Sequence, residues 1–446
     1  MYDLKISGAE VLIEGNEETI LADILVKDGK IAAIGSDLPD AKNTVEAKGL
    51  LALPGAIDSH VHFNDPGFET QEDFFQGTSA AASGGVTTII DMPCTSLPPV
   101  TSLNNLENKL SIVSPKAIID FAFHGGVSHL SMTEGFPLNM KEIAPYVAAY
   151  KTYTLSGMET FPKVSYDELD EVLKTAKELD RIVMVHAEDE DVCNQAKVNK
   201  ESNSPKEFSQ SRPEEAEITA VKKVVSLAKK YQTDLHIVHI GTAKAASFLD
   251  EPYLSGETCP HYLAFTLDDF EKIGAPLKIC PPIKPNHNKE ELWQLVQNGK
   301  ISFITSDHAP CPKERKQCSI WQAYGGIPGV GTLFPYMFSE GYLKGKISLK
   351  KLSEITSLNT AKKFKLDDRK GSIKVGKDAD IVLINAADEW LIKGDDFLSK
   401  GKVTPFENMI FKGKIYQTFV RGSKVYDHKD GICVARGYGN FQKPRA

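Results

Sequence analysis

The sequence predicts an α/β fold: a (β/α)₈ TIM barrel beside a small composite β-sandwich domain built from both chain ends. Three observations predict it. Apolar runs of strand length alternate with longer helical segments over about 300 residues, the mark of a parallel α/β unit. Both ends of the chain instead carry short β-rich segments joined by turns. The 446 residues also exceed a barrel of about 250 residues by enough for an accessory domain.

In chain order, residues 1–52 form the first part of the sandwich. Segments 3–7, 10–14, 22–27 and 30–34 carry β-formers, and Asp28-Gly29 is a hairpin-type turn. Residues 53–375 form the barrel. Its strand-like runs are 87–90, 118–123, 182–186, 235–239 and 301–305, and its clearest helices are 167–179 and 214–230. Residues 376–446 complete the sandwich with strand-like segments 380–384, 415–420 and 424–426, and Arg421-Gly422 is a turn candidate. A doubly wound open sheet is the competing architecture. It calls for an early glycine-rich phosphate turn, and the sequence has none.

Composition narrows the function. Hydrophobic residues make up 41% and charged residues 25%, the mix of an ordinary soluble domain. A net charge of −8 and a pI near 5.8 argue against nucleic acid or an anionic membrane as partner. No run approaches the roughly 18 apolar residues of a membrane span. Met1–Lys5 lacks the pattern of a signal peptide. Seven cysteines, scattered and without a CxxC pair, fit a reducing cytoplasm.

Residues able to do chemistry gather at the ends of the expected strands. In extended backbone, residues two apart point the same way, so His60 and His62 project together and can share a divalent cation. The pair alone fits two partly exposed histidines near a turn equally well. His186, His239 and Asp307 end or follow three further apolar runs, and barrel strands converge at their C-terminal face. Burying four histidines and an aspartate there is costly unless a cation organises them. His236, three residues from His239, faces elsewhere and reads as structural. Lys151 ends another short apolar run, where the residue alone reads as a snorkelling rim lysine.

These residues and their surroundings resemble the cyclic amidohydrolases, the group of allantoinases, dihydroorotases and hydantoinases. The resemblance runs nearly full length. It is carried by Leu53-Pro54-Gly55-Ala56-Ile57-Asp58-Ser59-His60-Val61-His62, Gly84-Gly85-Val86-Thr87-Thr88, Val185-His186-Ala187-Glu188, Glu257-Thr258-Cys259-Pro260-His261-Tyr262, Ser306-Asp307-His308-Ala309-Pro310 and Lys374–Val382. It implies two divalent metal ions. His60, His62 and Asp307 would hold the more buried one, His186 and His239 the more exposed one, with an N6-carboxylated Lys151 as the bridge. Zinc suits such ligands, as do manganese, cobalt, nickel and iron. The implied reaction opens a cyclic amide ring through a metal-bridged hydroxide, with Asp307 as catalytic proton shuttle. Asn64, Cys94 and His308 are the candidate substrate contacts. The expected partners are a small cyclic amide and further copies of the chain, as a dimer or tetramer.

Within the group, the chain is most similar to allantoinases. Shared stretches include His62-Phe63-Asn64-Asp65-Pro66-Gly67, Gly157-Met158-Glu159-Thr160-Phe161-Pro162, Ser211-Arg212-Pro213 and Thr404-Pro405-Phe406-Glu407. Met92-Pro93-Cys94-Thr95 departs from the allantoinase pattern, which has Leu-Asn after Met-Pro. Dihydroorotase is the alternative, then hydantoinase. Dihydroorotases place Arg and Asn where Asn64 and Cys94 stand, and losing the guanidinium removes a bidentate carboxylate anchor. Hydantoinases place Tyr where Ser156 stands. A metal-free scaffold is the non-enzymatic alternative; competent residues at all six ligand positions argue against it.

Overall fold

The computed structural model describes residues 1–445. Strand β1 (Tyr2–Val11) pairs antiparallel with β2 (Ile20–Lys27), which pairs with β3 (Lys30–Gly35). Segments 3–7 and 10–14, expected as two strands, are mostly one strand with a register shift between Ile6 and Ala9. The irregularity is pinned by Asp23, whose carboxylate accepts from Gly8 N–H at 2.8 Å and Ser7 Oγ at 3.0 Å. Two strands with no clear sequence signal, β4 (Ala41–Glu46) and β5 (Leu51–Pro54), lie parallel to β1.

Eight parallel strand positions follow. They are β6 (Ala56–Val61), β7 (Val86–Asp91), β8 (Asp120–Phe123) continuing into β9 (Gly125–Gly126), β10 (Tyr150–Tyr153), β11 (Val183–His186), β12 (Leu235–Ile237), β13 (Leu254–Thr258) and β14 (Phe303–Ile304). They pair in sequence order. Ala148 N–H to Phe123 O, 2.9 Å, bridges β8 to the start of β10, and His62 N–H to His308 O, 2.8 Å, closes the ring beyond β6 and β14. The barrel is entered at Gly55. A Cβ there would lie 2.2 Å from the Thr87 side chain, so only glycine fits between the strands.

The helices follow local rules. Tyr166–Glu178 begins at a Ser165–Glu168 capping box, has Asp167 and Glu168 in its first turn and Lys177 in its last, and buries Leu169, Val172, Leu173 and Ala176. Glu214–Tyr231 likewise starts acidic and ends on Lys229 and Lys230.

The chain then returns to the first sheet. Strand β15 (Ile381–Leu391) pairs with β5, then β16 (Ile410–Val420), β17 (Ser423–Asp427) and β18 (Gly431–Ile432) extend a nine-stranded sheet. The sandwich is thus one sheet folded back on itself. Ala379 N–H bonds to Gly29 O at 2.9 Å, and Ile6, Ile24 and Val26 share one core with Ile381, Leu383 and Phe419.

A buried ionic cluster ties barrel to sandwich. Lys370 Nζ lies 2.5 Å from Asp120 at the start of β8, 3.0 Å from Asp378 and 2.8 Å from Asp380. Arg421 also pairs with Asp120. The three aspartates could by spacing hold a cation, and the Lys370 ammonium already fills that role. We expect Lys370→Met to lower unfolding free energy by about 3–5 kcal/mol, because it strands buried carboxylates. A urea titration reads this; a loss under about 1 kcal/mol would assign the cluster no more than a surface pair contributes.

Candidate metal centre and active site

Six side chains from five barrel positions meet beyond the C-terminal strand ends. His60 is in β6 and His62 lies just after it. Their Nε2 atoms stand 3.4 and 3.3 Å from Asp307 Oδ1. The ligand atoms of these three residues lie within 4.8 Å of one another, a spacing that suits one cation. His186 ends β11, and its Nδ1 is 2.9 Å from Nε2 of His239, two residues past β12. The rings of His60 and His239 are 5.3 Å apart, which joins the two groups. Lys151, in β10, is fully buried; its Nζ has no hydrogen-bond partner and sits 4.4 Å over the Tyr153 ring.

The strand ends are bent to bring this about. His239 and Asp307 adopt φ of 38° and 46°, in the left-handed region that costs non-glycine residues energy and concentrates at functional sites. This is why the expected strands 235–239 and 301–305 stop early, at Ile237 and Ile304. Asp58 Oδ1 fastens the first and last strands, accepting from His60 N–H at 3.2 Å and Ser306 N–H at 3.1 Å. Burial raises the Asp58 carboxyl to about 7.

Burial sets the protonation states. It drives His186 down to about 4 against the pull of Glu188, and lowers His60 and His239 as well. The neutral imidazole it favours is the form that binds cations. At His62 burial is outweighed by Cys94 and Asp307, which raise it to about 10; a cation at Nε2 would compete with that proton. Burial also opposes ionisation of Asp307, but His60 and His62 outweigh it and hold the carboxyl at about 2. Lys151 is pushed down by burial to about 8, so its neutral amine is within reach near physiological pH.

A second layer of carboxylates orients the imidazoles. Glu257 bridges His60 Nδ1 at 2.5 Å and His236 Nε2 at 3.1 Å. His236, read as structural from the sequence, stacks on Phe303. Glu188 contacts His186 Nε2 at 2.8 Å and is itself held by Arg212. Such partners fix tautomer and ring direction. Glu257→Gln should therefore weaken cation affinity roughly 10- to 100-fold, measured by competition with a chelator; unchanged affinity would reduce Glu257 to a packing residue.

The centre opens into a cavity of about 340 Å³, walled by Tyr153, Ser156, Arg212, Cys280, Tyr324 and Gly325. The expected substrate contacts Asn64, Cys94 and His308 are not among its lining residues. Asn64 is buried with its amide donating to His62 O at 2.9 Å. Cys94 lies behind the lining, 3.1 Å from Tyr153 Oη and 3.7 Å from His62 Nδ1. His308 faces away from Asp307: it accepts from Val330 N–H at 3.2 Å, contacts Glu72 at 3.3 Å and borders a separate cavity of about 450 Å³. That cavity is larger, but none of the six converging side chains lies in it.

The sequence profile of the Amidohydrolase family matches residues 51–425. The chain belongs to the amidohydrolase family. Among curated relatives, this amidohydrolase is 35% identical to a protein named allantoinase from Rubrobacter xylanophilus, covering 100% of the chain and 98% of the relative. It is 34% identical to an allantoinase from Salmonella choleraesuis, covering 97% of each. Among solved structures it is similar to the L-hydantoinase (dihydropyrimidinase) of Arthrobacter aurescens, with a TM-score of 0.93 and 29% identity over 99% of the chain and 100% of that chain. A dihydropyrimidinase from Brevibacillus agri gives 0.89 and 30%, over 100% and 99%. The barrel with its accessory sheet, expected from the strand pattern, is the architecture of this amidohydrolase. Among the described residues, no helix is long and apolar enough to cross a membrane.

The sequence reading assigned no role to the carboxylates Glu257 and Glu188, nor to the cavity walls Tyr153, Cys280, Tyr324 and Gly325. Glu188 had a usable signal, since it lies two residues after His186. Glu257 had none, because its partner His60 is 197 residues away.

Proposed function

We propose that this amidohydrolase opens the ring of allantoin to give allantoate. The observation that carries the reading is the meeting of His60, His62, His186, His239 and Asp307 in the lining of one cavity, with the unpartnered Lys151 amine buried nearby, in a chain 34–35% identical to allantoinases over nearly its full length.

The residues fit a pair of divalent cations, with zinc the assignment. His60 Nε2 and Lys151 Nζ are buried without hydrogen-bond partners, a state that is costly unless a ligand satisfies them. His60, His62 and Asp307 would hold one cation, and His186 and His239 the other. The neutral Lys151 amine would add carbon dioxide and lose a proton, and the resulting carbamate would serve both. Bound cations of this kind acidify water and polarise a carbonyl.

The protein's own part is proton handling and enclosure. Asp307 is ionised and faces both histidines of its group, so its carboxylate accepts the proton of the attacking water and returns it to the departing ring nitrogen. Tyr153 and Tyr324 wall the ring's space. Dihydroorotate is disfavoured as substrate. Asn64 offers its carboxylate no cation, and Arg212, the guanidinium on the lining, is committed to Glu188. Seven free cysteines suit a reducing cytoplasm, to which we assign the protein as a homo-oligomer, a dimer or tetramer.

Metal-replete protein should show its highest kcat/KM on allantoin when compared with dihydroorotate, hydantoin and dihydrouracil. A higher value on any of the other three would replace the substrate. Absence of bound metal in protein purified without chelator would favour a scaffold.

A further inference from the structure

The 311–326 segment supplies Tyr324 and Gly325 to the cavity lining, yet it has little regular structure of its own beyond a short 3₁₀ turn at Lys313–Lys316. Its outer face, Lys313–Arg315, Gln317, Cys318 and Gln322, is exposed, but the carbonyl groups it turns inward must find donors. Here two buried lysines provide them. Lys316 Nζ donates to Ala275 O at 3.0 Å, Lys278 O at 3.1 Å and Tyr324 O at 2.9 Å. Lys278 Nζ donates to Trp321 O at 3.1 Å and Ala323 O at 2.6 Å, and lies 4.6 Å over the Phe208 ring. The two residues are 6% and 5% exposed, and the hydrogen bonds of both ammonium groups go to backbone carbonyls. Their charge is held by carbonyl dipoles and an aromatic face instead of a carboxylate.

The connections run from one cavity wall to the other. Residues 275–278 lead directly into Cys280, and 321–324 into Gly325; both Cys280 and Gly325 line the cavity. Gly326 N–H closes the arrangement on Lys278 O at 3.0 Å. The gap is tight: a Cβ on Gly325 would sit 3.0 Å from Cys280 Sγ.

The geometry points to Lys278 and Lys316 as positioning residues, paired internal cations that fix the Cys280–Gly325 wall and thereby set affinity for the ring. The inference rests on reading this cavity as the catalytic one. It assigns the lysines no contact with substrate. Their removal would loosen binding before it slowed chemistry, because the ligands of the centre lie on other strands.

Lys316→Met and Lys278→Met test this with allantoin as probe. KM should rise roughly tenfold or more, the scale expected when a positioning wall shifts by a fraction of an ångström to an ångström. Metal content should stay at the wild-type level and kcat within about threefold. Hydrogen exchange should quicken in 311–326 and not in β6 or β14. A kcat loss that tracks lost metal or lost folded protein, with KM unmoved, would overturn the assignment. Should either variant fail to fold, Gly325→Ala decides: it keeps both lysines and crowds the same gap, so KM should again rise, and an unchanged KM would remove this wall from substrate binding. If wild-type protein is silent on every ring amide, the functional reading fails on its own. Local exchange in Lys316→Met then still judges the clamp, and unchanged protection of 311–326 sinks it.

Discussion

Asp307→Asn should lower turnover by about 10³-fold or more while the protein still loads metal, since positioned proton transfer alone contributes about 10²–10⁴. The substitution is nearly isosteric, and the amide oxygen can still face His60 and His62, which now stand 3.4 and 3.3 Å from Oδ1. What it removes is an ionised group able to take a proton and give it back. The carboxyl is held near 2 by the two histidines, so it is available as a base across the whole neutral range. KM should change little compared with kcat, because Asp307 acts on the proton in flight more than on the bound ring. Full activity in the metal-loaded variant would remove Asp307 from the chemistry.

Lys151→Ala should be comparably severe, by a different route. The Nζ is enclosed, lacks a partner and is pushed by burial to about 8. Its charge lowers His60, His186 and His239 alike, so it lies near both groups of histidines. Truncation deletes the group proposed to serve both. Bound metal should fall well below the wild-type stoichiometry and activity by about 10³-fold, as expected when a cation that supplies the nucleophile is lost. Added propionate or a similar short acid should restore part of both, by placing a carboxylate where the proposed carbamate would stand. Unchanged metal content and rate would leave Lys151 as a core residue, and intact-protein mass gives an independent check on its carboxylation.

The contrast between these residues and the substrate wall shows what each level of description can reach. His60, His62, His186, His239 and Asp307 were visible because they occupy strand ends, and strand ends follow from local periodicity. Asn64 and Cys94 stand where the resemblance puts substrate anchors, and His308 stands beside Asp307; none of the three lines the cavity. Past the end of β14 the backbone bends through a left-handed Asp307, and His308 turns towards Glu72 while Asp307 turns to the histidines. Tyr324 and Gly325 reach the cavity from a loop whose path no local pattern encodes.

By itself, then, the amino-acid order determined the alternation of strand and helix, the capped helices such as Tyr166–Glu178, and the supply of cation-binding groups at one end of a barrel. These are properties of neighbours within a few residues, where period and capping act. Only the tertiary structure decided the merging of 3–7 and 10–14 into β1, the parallel placement of β4 on it, the Glu257 contact to His60 and the lysine clamp on the cavity wall. Each depends on burial shared between segments distant along the chain, and the energy of such a contact exists only once the whole fold has closed around it.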